Sequence, residues 1–320
     1  MPDVLRRIKS RLLTTAAHQI PRLLDRTGTR PHFAAWEAAG YHITPVHFYQ
    51  PIPDTRELAQ HYPERTALAG IDWNTEAQLA LLDQLAQFAP ETAAFPSHRT
   101  ADESDETFYL DNGLFVGIDP HLYYCMIRHF QPRRIIEVGA GFSTLVAAQA
   151  IQRNAANVAN VANAPQTTQL IAVEPYPRDF IRRGAFGIQH HQQRAEALGA
   201  AFFDQLEAGD LLFIDSSHVV RTGGDVNFLL LEVLPRLAPG VIVHLHDIFL
   251  PYEYPQEWLL EKRWFWTEQY LLQAFLIHNP MVTVLLGNHF LENDHPQRLK
   301  SLFPQALRWT GGSFWLRINP

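Results

Sequence analysis

The sequence predicts an α/β protein built on a doubly wound, mostly parallel sheet, with a mainly helical accessory region ahead of it. Two observations carry that expectation. From Arg133 onward, short apolar runs alternate with helix-compatible stretches, the pattern of a parallel sheet covered on both faces. The first of these runs, Arg134-Ile135-Ile136-Glu137-Val138, turns through Gly139-Ala140-Gly141 and enters Phe142-Ser143-Thr144-Leu145. A strand, a Gly-x-Gly turn and a helix start let the backbone pass close to a ligand and aim free N–H groups at it.

Composition bounds the rest. The 320 residues are 47% hydrophobic and 12% aromatic, enough for a packed core. A formal charge of −7 argues against nucleic acid as the partner, since phosphate binding wants clustered Lys and Arg. The single cysteine, Cys125 in Leu122-Tyr123-Tyr124-Cys125-Met126-Ile127, excludes an intramolecular disulfide and reads as a core thiol.

Taken in order, residues 1–30 read as a helix ending in the Pro21 to Gly28 region. Arg6, Arg7, Lys9 and Arg11 lie among leucines, and no apolar run long enough for a signal peptide follows. No stretch of 18 uncharged apolar residues occurs, so a cytoplasmic protein without a spanning helix is expected. Prolines 45, 51 and 53 make the aromatic segment 41–54 an ordered arm rather than a strand. Asn74 can cap a helix through Leu79, Leu81, Leu82, Leu85 and Phe88 that stops before Pro90. Pro96 to Glu106 reads as a loop, and Pro120 suits the first turn of a helix through Phe130. The expected division is an accessory region over 1–119 and a binding domain over 120–320.

Within that domain the expected strands are Ile135–Val138, Leu170–Val173, Gly187–His190, Leu211–Ile214, Val241–Leu245, Val282–Leu286 and Phe314–Ile318. The near-repetitive stretch Asn154 to Pro165 reads as a tolerated loop insertion. It accounts for the 174 − 137 = 37 residues between Glu137 and Glu174, against the ~20 usual before a ribose-binding acid.

Several side chains carry chemistry. A dinucleotide fingerprint would place its third glycine at Thr144, and Glu137 ahead of the turn repels a pyrophosphate but suits a cationic ligand. Glu174 closes the second strand, where an acid accepts bonds from ribose hydroxyls or caps a helix. Asp215 closes the fourth, followed by Ser216-Ser217-His218; His218 can take a proton from a hydroxyl or simply bond to Asp215 or backbone. In the fifth, Val243-His244-Leu245-His246-Asp247, His244 and His246 share a side and Asp247 reaches the strand end. Asp215 and Asp247, with His246, can hold a divalent ion such as Mg²⁺ or fix loop backbone. The aromatics Phe249, Tyr252, Tyr254, Trp258, Trp264, Phe265, Trp266 and Tyr270 can wall an apolar pocket or pack as core.

Glu137-x-Gly139-x-Gly141-x-Ser143, Ile214-Asp215-x-x-His218 and Gly240-x-Ile242-x-x-x-His246-Asp247 together resemble class I S-adenosylmethionine-dependent methyltransferases, over most of residues 108–318. The similarity is greatest to the bacterial branch with Ile-Asp-x-x-His and His-Asp motifs. It implies a Rossmann-like, seven-stranded sheet whose last strand, Phe314–Ile318, is antiparallel. It implies S-adenosylmethionine bound by Glu137, Gly139, Ala140, Gly141, Ser143, Glu174 and Asp215, with His218, Asp215 and Asp247 catalytic. Asp215, Asp247 and His246 become the candidate Mg²⁺ ligands; an oxygen, or failing that a nitrogen, of a small molecule is the expected acceptor, and a homodimer the expected assembly.

Two departures stand out. After the third strand, where the family often has an acid for the adenine amine, the chain offers Gln192 and Gln193. Ile248 follows Asp247, so the acidic pair of catechol-type enzymes is absent. A cofactor-binding accessory protein without methyl transfer, and an NAD-dependent oxidoreductase, are the rival readings; Thr144 disfavours the second.

Overall fold

Seven strands form one sheet, in the order β3–β2–β1–β4–β5–β7–β6, in a computed structural model that describes residues 2–24, 32–100, 104–158 and 168–320. They are β1 Arg134–Val138, β2 Gln169–Val173, β3 Gln189–His191, β4 Leu211–Ile214, β5 Ile242–Leu245, β6 Val282–Gly287 and β7 Phe314–Ile318. All seven expected strands are present. The third lies two residues later at its start than expected, because Phe186 and Gly187 both take positive φ in a turn. β1 to β5 pair in parallel, and β7 runs antiparallel between β5 and β6.

The chain falls into two compact units, Met1–Tyr62 and Pro63–Pro320. The first holds helices α1 Pro2–Leu24, α2 Phe33–Ala38 and α3 Thr55–Gln60. The expected end of its first helix beyond Leu24 lies outside the described residues. Asp54 caps α3 by accepting the Arg56 amide at 2.9 Å. The arm over 41–54 contains no strand, and His47 stacks on Phe48 at 4.2 Å between ring centres.

The division at Tyr62 and Pro63 departs from the expected boundary at 119 and 120. Helix α4, Thr75–Leu85, explains why: Leu82 and Leu85 are fully buried, and the Gln78 side chain accepts the Gly287 amide at the end of β6. A segment that closes the sheet's edge in this way is part of its core. Asn74 precedes α4 as expected, but it adopts φ +52° and makes no side-chain cap. The turn after α4 continues as a 3₁₀ helix across Pro90 to Ala94 instead of stopping before it.

The sheet's two faces are covered separately, as its alternation dictates. Ile135, Leu170, Ala172, Leu211 and Phe213 face α5 Asp119–Phe130 and α6 Phe142–Val158. Ile136, Val138, Ile171, Leu212 and Ile214 face Val226, Leu229, Leu230 and Val233. Apart from Glu137 of β1 the central strands are therefore apolar on both sides, and β4 and β5 read as continuous hydrophobic runs broken only by His244. Cys125 is buried in α5 as a core thiol. Among the described residues no helix is long and apolar enough to cross a membrane.

Candidate active site

The strand order reverses between β1 and β4, and the two carboxyl ends splay there into a crevice, where open α/β sheets bind ligands. A cleft of about 610 Å³ opens at this point, lined by Gly139 to Ser143, Glu174, Asp215, His218, His246 and Asp247. An adjoining cleft of about 290 Å³ shares Gly139, Glu174 and Asp215 with it. The structure thus brings the cleft-facing predicted residues to one rim.

The turn itself is tightly prescribed. Gly139 has φ +82°, and a Cβ there would meet the Asp215 carbonyl oxygen at 1.8 Å. Its amide bonds to the Val173 carbonyl of β2, and the Asp215 amide bonds to the Val138 carbonyl, so β1, β2 and β4 are stitched at the crevice. Gly141 differs: it lacks positive φ, and the nearest atom to a Cβ would be Arg178 Nε at 3.7 Å. Glu174 accepts the Ala140 amide at 3.3 Å and the Tyr176 amide at 2.7 Å, which fixes its carboxylate beside the turn.

Glu137 alone of the turn residues does not face the cleft. It points to the α5 side of the sheet, fully buried, and accepts hydrogen bonds from the hydroxyls of Tyr123 and Thr144. Burial pushes its pKa up to about 7, against the opposing pull of the Thr144, Tyr123 and Ser143 bonds. Its placement corrects the expectation that it meets a cationic ligand: the carboxylate braces α5 and the start of α6 beneath the turn.

Beyond β4 and β5 lies a cluster of charges. His218, at φ +59°, donates or accepts at Nδ1 with Glu268 at 2.8 Å, while Nε2 is 3.2 Å from Asp215 and 3.6 Å from Asp247. The ring lies against Trp266 at 4.3 Å, and the His218 carbonyl accepts the Thr267 and Glu268 amides. Burial acts to lower the His218 pKa, but Asp215, Glu268 and Asp247 outweigh it and push it up to about 10. Glu268, 1% exposed, was not legible in the sequence; it lies 50 residues on, at the start of the helix Glu268–Leu276. Burial raises its own pKa.

His246 is buried among three acids: Asp119 at 3.4 Å from Nε2, and Asp215 and Asp247 at 3.6 and 3.5 Å from Nδ1. Those acids raise its pKa well above the ordinary value, against burial. Burial would raise Asp215, yet His246 and His218 hold it well below the usual carboxylate range. Asp119, also missed by sequence, accepts from Asn288 and from the Gly312 and Ser313 amides. Asp215, His246 and Asp247 each present one donor atom, all within 4.8 Å of one another. His244 shares the face of His246 but belongs to the core, stacked on Phe213 at 4.2 Å, its pKa far lowered by burial.

The outer wall of the larger cleft is aromatic. Trp264 and Trp266 stack at 5.1 Å and 11°, with Trp258 edge-on to both. Trp264 to Trp266 had two readings, and both indoles line the cleft. The 290 Å³ cleft is bounded beyond β3 by Arg194, Ala195 and Glu196, not by Gln192 or Gln193. Glu196 carries a buried carboxylate oxygen, Oε2, with no hydrogen-bond partner.

Residues 136–248 match the family model described as a methyltransferase domain. A protein of Archaeoglobus fulgidus, described only as uncharacterized, is 31% identical over 177 residues, 51% of this chain and 73% of its own length. The O-methyltransferase from Bacillus cereus in complex with SAH is 12% identical, with a TM-score of 0.35, covering 83% of this chain and 96% of that one. An SAH-bound methyltransferase from Podospora anserina is 14% identical, TM-score 0.38, covering 88% and 100%.

Proposed function

We propose that this chain, whose residues 136–248 match a methyltransferase-domain model, is a class I S-adenosylmethionine-dependent methyltransferase and that it methylates a hydroxyl oxygen of a small molecule held against the tryptophan wall. One observation carries the reading: the two clefts share Gly139, Glu174 and Asp215, and only the larger adds His218, Asp247 and the indoles. Adenosine fits the smaller cleft and the acceptor the outer part of the larger, with the turn between them.

Each residue then has a task. Glu174 accepts the ribose hydroxyls, and the orphaned Oε2 of Glu196 accepts the adenine amine. Gly139, Ala140, Gly141 and Ser143 form the floor under the amino-acid part, and Asp215 accepts from its ammonium group. When bound, S-adenosylmethionine supplies an electrophilic methyl on a sulfonium. The chain aligns the acceptor oxygen with that methyl and keeps water away, Trp264 and Trp266 forming the dry wall.

His218 Nε2 takes the acceptor's proton, and Glu268 at Nδ1 orients the ring and balances the imidazolium that forms. As the protein stands, Asp215, Glu268 and Asp247 favour a proton on the ring, so the neutral base is the minor form. Asp215, His246 and Asp247 are the residues that would hold a divalent ion, which supplies Lewis acidity to an acceptor oxygen.

The test is calorimetric titration of S-adenosylhomocysteine into wild type and Glu174→Ala, followed by a screen of hydroxylated and amine acceptors for methyl transfer. Loss of two ribose bonds predicts roughly 10–100-fold weaker binding in the variant. Unchanged affinity would remove Glu174 from the cofactor site. Transfer to amines alone would overturn the choice of oxygen.

A further inference from the structure

The donor atoms of Asp215, His246 and Asp247 are not an acidic cluster alone, because one of the three is a buried imidazole nitrogen. Resting on the reading that this cleft is the methyl-transfer site, we infer that they form a site for a first-row transition-metal ion in preference to Mg²⁺, with Asp119 as the carboxylate that orients His246.

The donor chemistry comes first. Mg²⁺ takes oxygen ligands in near-octahedral geometry and keeps much of its water, whereas imidazole suits Fe²⁺, Ni²⁺, Cu²⁺ and Zn²⁺, and affinity at a mixed nitrogen and oxygen site rises from Mn²⁺ through Co²⁺ to Cu²⁺. A third acid at position 246 would make the set all-oxygen. Histidine there exchanges one charge for a nitrogen lone pair.

Geometry agrees. His246 is 5% exposed, and neither ring nitrogen has a hydrogen-bond partner. Its Nδ1 stands 3.6 Å from Asp215 Oδ1 and 3.5 Å from Asp247 Oδ2. A charge-assisted bond between imidazolium and carboxylate closes to ~2.8 Å. Donors ~2.1 Å from a shared ion stand roughly 3.0 Å apart at octahedral right angles and ~3.4 Å apart at tetrahedral angles. The two separations from His246 Nδ1 leave room for an ion between the three donors.

Across the ring, Asp119 Oδ2 lies 3.4 Å from Nε2. Asp119 is itself held by Asn288 at 2.7 Å and by the Gly312 and Ser313 amides at 2.9 and 3.2 Å. A fixed carboxylate behind Nε2 favours the tautomer protonated there and leaves the Nδ1 lone pair facing Asp215 and Asp247. Metal-binding histidines are commonly oriented by such an outer carboxylate. Without an ion to serve, this arrangement is a protonated histidine between three acids, and the two cases differ in what they bind.

Co²⁺, Mn²⁺ and Mg²⁺ are titrated separately into the full chain by calorimetry, with Co²⁺ followed by its visible absorption. S-adenosylhomocysteine binding is measured on the same preparations. The expected result is Co²⁺ binding with ligand-field bands, and Co²⁺ and Mn²⁺ affinities at least about tenfold above that of Mg²⁺. Asp119→Asn weakens Co²⁺ binding roughly 10–100-fold. His246→Asp lowers the ratio of Co²⁺ to Mg²⁺ affinity, and it decides the matter if Asp119→Asn fails to fold. Absent Co²⁺ bands, equal affinities in wild type, or a ratio untouched by His246→Asp each overturn the inference. None of these depends on S-adenosylhomocysteine; failure of that ligand to bind beside intact Co²⁺ binding would count against the methyl-transfer reading instead.

Discussion

Tyr123 donates its hydroxyl to Glu137 at 2.8 Å inside the core, tying helix α5 to the strand that ends in the glycine turn. Both side chains are fully buried. Removing a carboxylate from water penalises its charged form, so Glu137 titrates at about 7 in the folded chain against 4.5 for an ordinary glutamate.

The sign of the consequence follows. Between pH 4.5 and 7 the unfolded chain has lost this proton and the folded chain retains it, so the contribution to stability is present at low pH and lost as pH rises through 7. The full span is about 3 kcal/mol. Glu137→Gln keeps the shape and removes the titration. Denaturant unfolding of both proteins at pH 5 and pH 8 should show the variant gaining about that much on wild type between the two. A difference independent of pH would mean that folding leaves the Glu137 pKa unshifted, and a variant that loses ground as pH rises would mean the carboxylate is stabilised in its charged form.

Gly139 and Gly141 look equivalent in sequence and are not equivalent in space. A Cβ on Gly139 collides with the Asp215 carbonyl at 1.8 Å and forces positive φ on an alanine. Gly139→Ala should therefore cost ~3 kcal/mol or more and abolish S-adenosylhomocysteine binding. Gly141→Ala meets nothing closer than Arg178 at 3.7 Å, so it should fold normally and lose cofactor affinity alone. Thermal melting and calorimetry on the pair separate the two effects; equal destabilisation would contradict the geometry.

These contrasts mark how far the sequence could be read. The seven strands were legible because buried strands are short apolar runs with few alternatives, and Asp215 and Asp247 were legible because they stand one and two residues beyond such runs. Glu268, Asp119 and Glu196 were not. Asp119 and Glu196 reach the clefts, and Glu268 reaches His218, from helices whose sequence does not say which side chain meets the site, so tertiary folding decides it. The inclusion of residues 63–119 in the sheet-bearing unit was hidden for the same reason, since the burial of Leu82 and Leu85 depends on β6 being beside them. Glu137 was misplaced because alternation along a five-residue strand fixes two faces without saying which faces the ligand.

His218 and Glu268 divide one task between them. If Nε2 accepts the acceptor's proton, His218→Ala should retain S-adenosylhomocysteine binding and lose turnover by ~10²–10⁴-fold. Glu268→Gln leaves a neutral acceptor at Nδ1, so it should lower kcat less and leave the acceptor KM unchanged. Steady-state kinetics on both variants checks the order. Full turnover in His218→Ala would remove the histidine from the chemistry.

Trp264 and Trp266 stack face to face, but only Trp266 also lies against His218, at 4.3 Å. Trp264 is 41% exposed and bears on the acceptor side of the cleft without touching the charged cluster through any ring contact. Its truncation removes apolar wall and one stacking surface, an effect of ~1–2 kcal/mol on acceptor binding. Trp264→Ala should therefore raise the acceptor KM by roughly 5–30-fold at unchanged kcat. Trp266→Ala also frees the His218 ring to turn, so kcat should fall together with the rise in KM. Measuring both constants for both variants, with S-adenosylhomocysteine affinity as the control, tests the division. A fall in kcat for Trp264→Ala equal to that for Trp266→Ala would mean that the indole wall acts as one unit.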